Sequence, residues 1–213
     1  IMKKIILILS ILTIGIEAQA QKTKKKEKPK EPIEVKNLEP TKEELEARRA
    51  IAAQTESRMM GPMHHMLMQF VGHWREEMKI WNSPESQPTI VMALRESKLF
   101  GEGRFITSMI VGQMGNLPYE AQSVMGYDNV KNVFVKTWYD NMGTSILVLE
   151  GIFNEKTSTI DFNGFANDPL TKQPIKIHQV LKIIDAQNQL LEIFTEQKEG
   201  VEIKVMEVRS VHG

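Results

Sequence analysis

Apolar and polar residues alternate one by one through most of the chain after Trp74, the period of strands with one buried face. Such stretches fall at 74–81, 90–99, 104–111, 119–127, 133–141, 144–153, 159–166, 175–185, 190–196 and 201–209. Turn residues separate them: Asn82-Ser83-Pro84, Gly101-Glu102-Gly103, Gly115-Asn116-Leu117-Pro118, Asn154-Glu155-Lys156-Thr157, Asp168-Pro169, Ala186-Gln187-Asn188 and Lys198-Glu199-Gly200. The pattern is plainest between Gly126 and Gly151. There Val133 to Tyr139 alternate β-branched and aromatic residues, and Asn141-Met142-Gly143 supplies a tight turn. Gly151 leaves the backbone room to bend. Successive short hairpins predict an all-β protein, an antiparallel up-and-down barrel of about ten strands with no unpaired edge. A two-sheet sandwich is the alternative.

Upstream of Trp74 the period becomes helical. Pro40-Thr41 opens a helix predicted to run to about Ser57, with Thr41 as its N-cap and Glu43 and Glu44 at the positive end of its dipole. Its few apolar residues, among them Leu45 and Ile51, let it lie loosely on the barrel or project from it. A shorter helix follows Gly61-Pro62, since Pro suits a first helical position. Met63, Met66, Leu67, Phe70 and Val71 share one face, which predicts a cap over one end of the barrel.

The first forty residues are of another kind. Met2-Lys3-Lys4, an apolar run to Ile16, and Ala18-Gln19-Ala20 have the plan of a signal peptide cut after Ala20. The apolar run is too short to span a bilayer comfortably, an uncleaved anchor being the alternative. Residues 21–40 are rich in Lys, Glu and Pro and cannot bury enough surface to order themselves. They form either a solvated linker or a basic arm drawn to anionic envelope surfaces. The expected organisation is an export segment at 1–20, the arm at 21–40, a helical linker at 41–60 and the barrel domain at 61–213. The location implied is periplasmic or secreted, with no transmembrane segment once the signal is removed.

The chain carries 27 basic and 27 acidic residues, so nothing in its net charge recruits nucleic acid. It has no cysteine, which excludes disulfides, thiolate metal sites, cysteine nucleophiles and the lipidated cysteine of a lipoprotein.

The stretch 126–151 resembles the bacterial family known as domain of unknown function 1579. So do Gly61-Pro62 with His64, Gly72-His73-Trp74, Gly103-Arg104-Phe105, Asp168-Pro169 and Met206-Glu207. The resemblance spans 61–208 and implies a small lipocalin-like, calycin-type barrel of unknown activity. It implies that Trp74 plugs the closed end and that a basic residue of the last strand, Arg209, lies across its ring. The family commonly ends that strand with Tyr and Arg, where this chain has Ser210-Val211-His212.

Several polar groups are candidates for a ligand site. Arg104, sharing parity with Ile106, Ser108 and Ile110, would hold an anion at the barrel wall: Glu207 or Glu150 as a structural pair, or a ligand carboxylate. Trp138 shares its face with Phe134, Lys136 and Asp140, and Gln179 sits among Ile175, Ile177, Leu181 and Ile183. Tyr127 and Trp138 could wall a pocket, and a Gln on an apolar face needs a partner. Met63, His64, Met66 and Met68 could suit Cu(I), or simply form a plastic apolar cap. His64 could act as a general base, although no catalytic motif accompanies it. No cofactor is implied. The expectation is non-covalent binding of a small, mostly apolar molecule inside the barrel. An envelope interaction module with a filled barrel is the alternative.

Overall fold

A computed structural model describes residues 39–196 and 200–213. The expected export segment, the expected arm up to residue 38 and residues 197–199 lie outside them. Two units divide between Thr41 and Lys42, and the second, Lys42–Gly213, holds the helices and strands of the described residues.

Ten strands form a closed antiparallel barrel: β1 (Gly72–Ile80), β2 (Thr89–Phe100), β3 (Phe105–Met114), β4 (Leu117–Asp128), β5 (Val133–Asp140), β6 (Leu147–Asn154), β7 (Thr159–Asn167), β8 (Pro174–Ile183), β9 (Asn188–Glu196) and β10 (Glu202–His212). Each strand pairs with its sequence neighbours, and β10 returns to β1 with Trp74 opposite His212 and Ile80 opposite Met206. Closure replaces the sandwich alternative, because the first strand gives the last a partner.

The alternation seen in the sequence is the inside–outside pattern of the wall. On β4, Tyr119, Ala121, Ser123 and Met125 are buried. On β8 the buried residues are Ile177, Gln179 and Leu181. Strand starts fall within three residues of expectation, and two of the late ones change what a turn holds. β6 begins at Leu147, leaving Thr144 in the loop after Asn141-Met142-Gly143. β3 begins at Phe105, because Gly101, Glu102 and Gly103 all take positive φ and hold Arg104 within the turn. At Gly151 the glycine has a second use beyond bending. A Cβ there would stand 2.4 Å from the Phe162 ring, which fills the space over the missing side chain.

The short helix α2 (Pro62–Met66) runs into a 3-10 turn at Leu67–Phe70. Met66, Leu67 and Phe70 are buried against Ile106, Met125, Phe134, Leu149 and Phe162, so this segment caps the barrel. Two bonds fasten it: Trp74 Nε1 donates to the Phe70 carbonyl at 3.1 Å and Gln189 Nε2 to that of Gln69 at 3.0 Å. The long helix α1 (Lys42–Arg58) buries none of its residues. Its final turn is received by Asn129, whose amide donates to the carbonyls of Glu56, Ser57 and Met59. Among the described residues, no helix is long and apolar enough to cross a membrane.

Candidate ligand cavity

The barrel encloses a cavity of about 260 Å³. That is just below the roughly 300–1,000 Å³ typical of small-molecule sites. Its walls are mainly apolar: Phe70 from the cap, Met78, Ile110, Met125, Leu147, Ile177, Leu181 and Leu191 from the strands. Into this surface project two separate groups of polar side chains.

The first group surrounds Trp74. In β-pairing, Trp74 stands opposite Arg95, so the guanidinium covers the indole at 4.9 Å. Arg95 then reaches three acceptors: Nε donates to Glu76 at 2.6 Å, Nη1 to Ser97 Oγ at 3.0 Å, and Nη2 to Gln189 Oε1 at 2.9 Å. Ser210 donates to the same Glu76 oxygen at 3.0 Å, and Ser97 shares a hydrogen bond with Ser108 at 2.8 Å. Burying a charge is costly unless it is paired and hydrogen-bonded, and here it is both.

The second group centres on Lys136. Strand β5 sends Phe134, Lys136 and Trp138 inward on alternate positions. Lys136 is only 7% exposed. Its ammonium crosses the lumen to donate to Gln179 Oε1 on β8 at 2.9 Å. The rings of Trp138 and Phe162 lie 5.8 and 5.7 Å from Nζ. Burial, reinforced by the positive charge of Arg95 and opposed by Glu76, lowers its pKa to about 8. Nearby, Trp138 Nε1 donates to Asp140 Oδ2 at 3.0 Å. Burial, then the negative charges of Asp140 and Glu76, raises the Tyr119 phenol well above its ordinary range, so it keeps its proton.

Of the residues singled out in the sequence, Trp138 and Gln179 line the cavity and the others do not. Arg104 lies in the turn before β3, where Nη1 donates to Glu102 at 2.9 Å and to the Gly101 carbonyl, and Nη2 to the Arg58 carbonyl at the end of α1. Its expected parity depended on a strand start one residue too early. Glu207 faces outward, since Met206, Val208 and Ser210 occupy the inner positions of β10. It accepts from Lys204 and Arg209, which hold its carboxyl below the usual range. Arg209 shares that outer face with a side chain 63% exposed. The cation over Trp74 is therefore Arg95, and His212 adds an edge-to-face contact at 4.8 Å.

Tyr127 packs beneath the cap, between His64 and Phe134. His64 is buried there outside the cavity, with Nδ1 accepting the Gly61 N–H at 3.1 Å. Burial lowers its pKa, against an opposing backbone bond to Tyr127. Its ring thus secures the first turn of α2. The methionines differ in setting, Met66 being buried in the core while Met68 is 60% exposed. Among the described residues no group of three or more His, Asp and Glu side chains could hold a metal.

Sequence reasoning passed over Lys136, Arg95 and Glu76. The signal was present for Lys136, a charged residue in the same alternating row as Phe134 and Trp138. Arg95 shares parity with Val91 and Ala93, and Glu76 with Trp74 and Met78.

No curated protein matches the chain. Among solved structures, the S-type phycobiliprotein lyase CPES from Guillardia theta is similar in fold. It superposes with a TM-score of 0.52 at 12% identity, over 75% of this chain and 96% of the lyase. At that identity the likeness concerns the barrel alone. The model of the family described as "Protein of unknown function (DUF1579)" matches residues 59–211, which takes in the cap and every strand down to Val211. With the closed ten-strand barrel and its capping helix, that match makes this chain a member of the DUF1579 family.

Proposed function

We propose that the barrel binds a small, mostly apolar molecule in its interior without covalent attachment. The observation that carries this is the cavity itself, with apolar walls and a few buried polar groups projecting into it. Trp138 and Gln179 take part, as the sequence suggested, and Lys136 replaces Arg104 as the cation within reach. The similar barrel, a lyase named for phycobiliproteins, adds that this fold serves chemistry elsewhere. We further propose that the protein is exported, on the strength of the basic start, apolar run and Ala18-Gln19-Ala20.

Native mass spectrometry of protein taken gently from an envelope fraction tests both statements. A mass beginning at Gln21 supports export, and a reproducible added mass of small-molecule size supports the binding barrel. A bare protein at every collision energy counts against a held ligand. A second reading rests on α1, which is exposed along its whole length and held at its last turn. Such a helix suits contact with an envelope partner, and deleting 42–55 would abolish that contact while leaving the barrel folded.

A further inference from the structure

Several polar groups that line the cavity have hydrogen bonds still to donate. An ammonium has three N–H bonds, and in Lys136 one is used, on Gln179 Oε1. The Gln179 amide nitrogen donates to no protein group among the described residues, and neither does Ser123 Oγ, which lies diagonal to Lys136 across the β4–β5 register. The carboxylates of the cavity already serve other protein donors: Glu76 Oε1 accepts from Arg95 and Ser210, and Asp140 accepts from Trp138 Nε1 and the Met142 N–H. Lys136 is thus a buried cation with no ion-pair partner among the described residues, beside two further donors.

We propose that Lys136, with Gln179 and Ser123, is a binding site for an anionic head group, so the ligand is an amphiphile bearing a carboxylate at one end. A carboxylate accepts several hydrogen bonds at once and supplies the charge that the protein withholds from Lys136. Its apolar tail would take the space walled by Met125, Ile177 and Leu181. This deepens the binding-barrel reading and rests on it.

The test is titration calorimetry of the purified protein with octanoate and laurate, against octanol and dodecanol, in wild type and in Lys136→Met and Lys136→Arg. The acids should bind wild type about ten-fold or more tighter than the alcohols. Lys136→Met should erase that preference, the acids losing far more affinity than the alcohols, and Lys136→Arg should largely keep it. Circular dichroism establishes that each variant is folded. If acids and alcohols bind wild type alike, or Lys136→Met leaves the preference intact, the head-group site is wrong while the binding barrel stands. If neither class binds wild type, the binding-barrel reading fails and the head-group site with it.

Discussion

Arg95 and Lys136 are both cations inside the barrel, and the chain answers them to different degrees. Each nitrogen of Arg95 has a protein acceptor, and one of these is a carboxylate. Lys136 has one neutral acceptor and two aromatic faces. The first arrangement is closed: it holds Trp74, Gln189 and through them the cap. The second is open, and its stability depends on its protonation and on what enters the cavity. Buried charge is therefore held in two ways in this molecule, one closed by protein acceptors and one left open.

Breaking the closed cluster should have the largest effect. Arg95→Met leaves Glu76 buried without its cation and uncovers Trp74, and we expect a loss of about 3–5 kcal/mol in urea unfolding. The open group should behave in the opposite sense. Lys136→Met removes a desolvated cation whose pKa is depressed from 10.5 to about 8. That depression corresponds to roughly 3 kcal/mol. Less about 1 kcal/mol for the lost Gln179 bond, the variant should gain about 2 kcal/mol at neutral pH.

The pH dependence has the same origin. Between about pH 8 and the unfolded value of 10.5, the unfolded chain binds more protons at this lysine than the folded one. Wild-type stability should accordingly rise with pH above about 8. Tyr119 works the other way above about pH 10, where the unfolded phenol ionises and the folded one does not. Lys136→Met should flatten the rise, as unfolding at about pH 7 and about pH 9.5 would measure.

Crowding the open group without changing its charge separates packing from electrostatics. Gly151→Val places side-chain atoms where the Phe162 ring now lies. We expect a loss of about 1–3 kcal/mol in chemical denaturation and a shifted setting for Lys136. The smallest effect should come from the outer wall. Arg209→Ala removes a largely exposed partner of Glu207, and stability should change by about 0.5 kcal/mol or less in thermal unfolding. A large loss there would mean that Arg209, and not Arg95, supports the closed end.

Local chemistry was enough to read the barrel wall. A period of two, broken by Gly, Asn, Asp and Pro, marked every strand, because side-chain direction along a strand is set by the backbone itself. The capping helix was legible for a similar reason: Pro62 starts it and its apolar spacing selects the buried face. Phe134, Lys136 and Trp138 could be placed in one row from the sequence. Which rows meet across the lumen could not, since Lys136 and Gln179 come together only when the barrel closes and curves. Three positive φ values in the turn at 101–103 removed Arg104 from the inner face, and parity on β10 carried Glu207 and Arg209 outward. Strands, alternation and cap are thus written locally along the chain. Which buried charges are satisfied was settled by closure of the barrel, because that depends on distances between side chains far apart in the chain, and no local period records them.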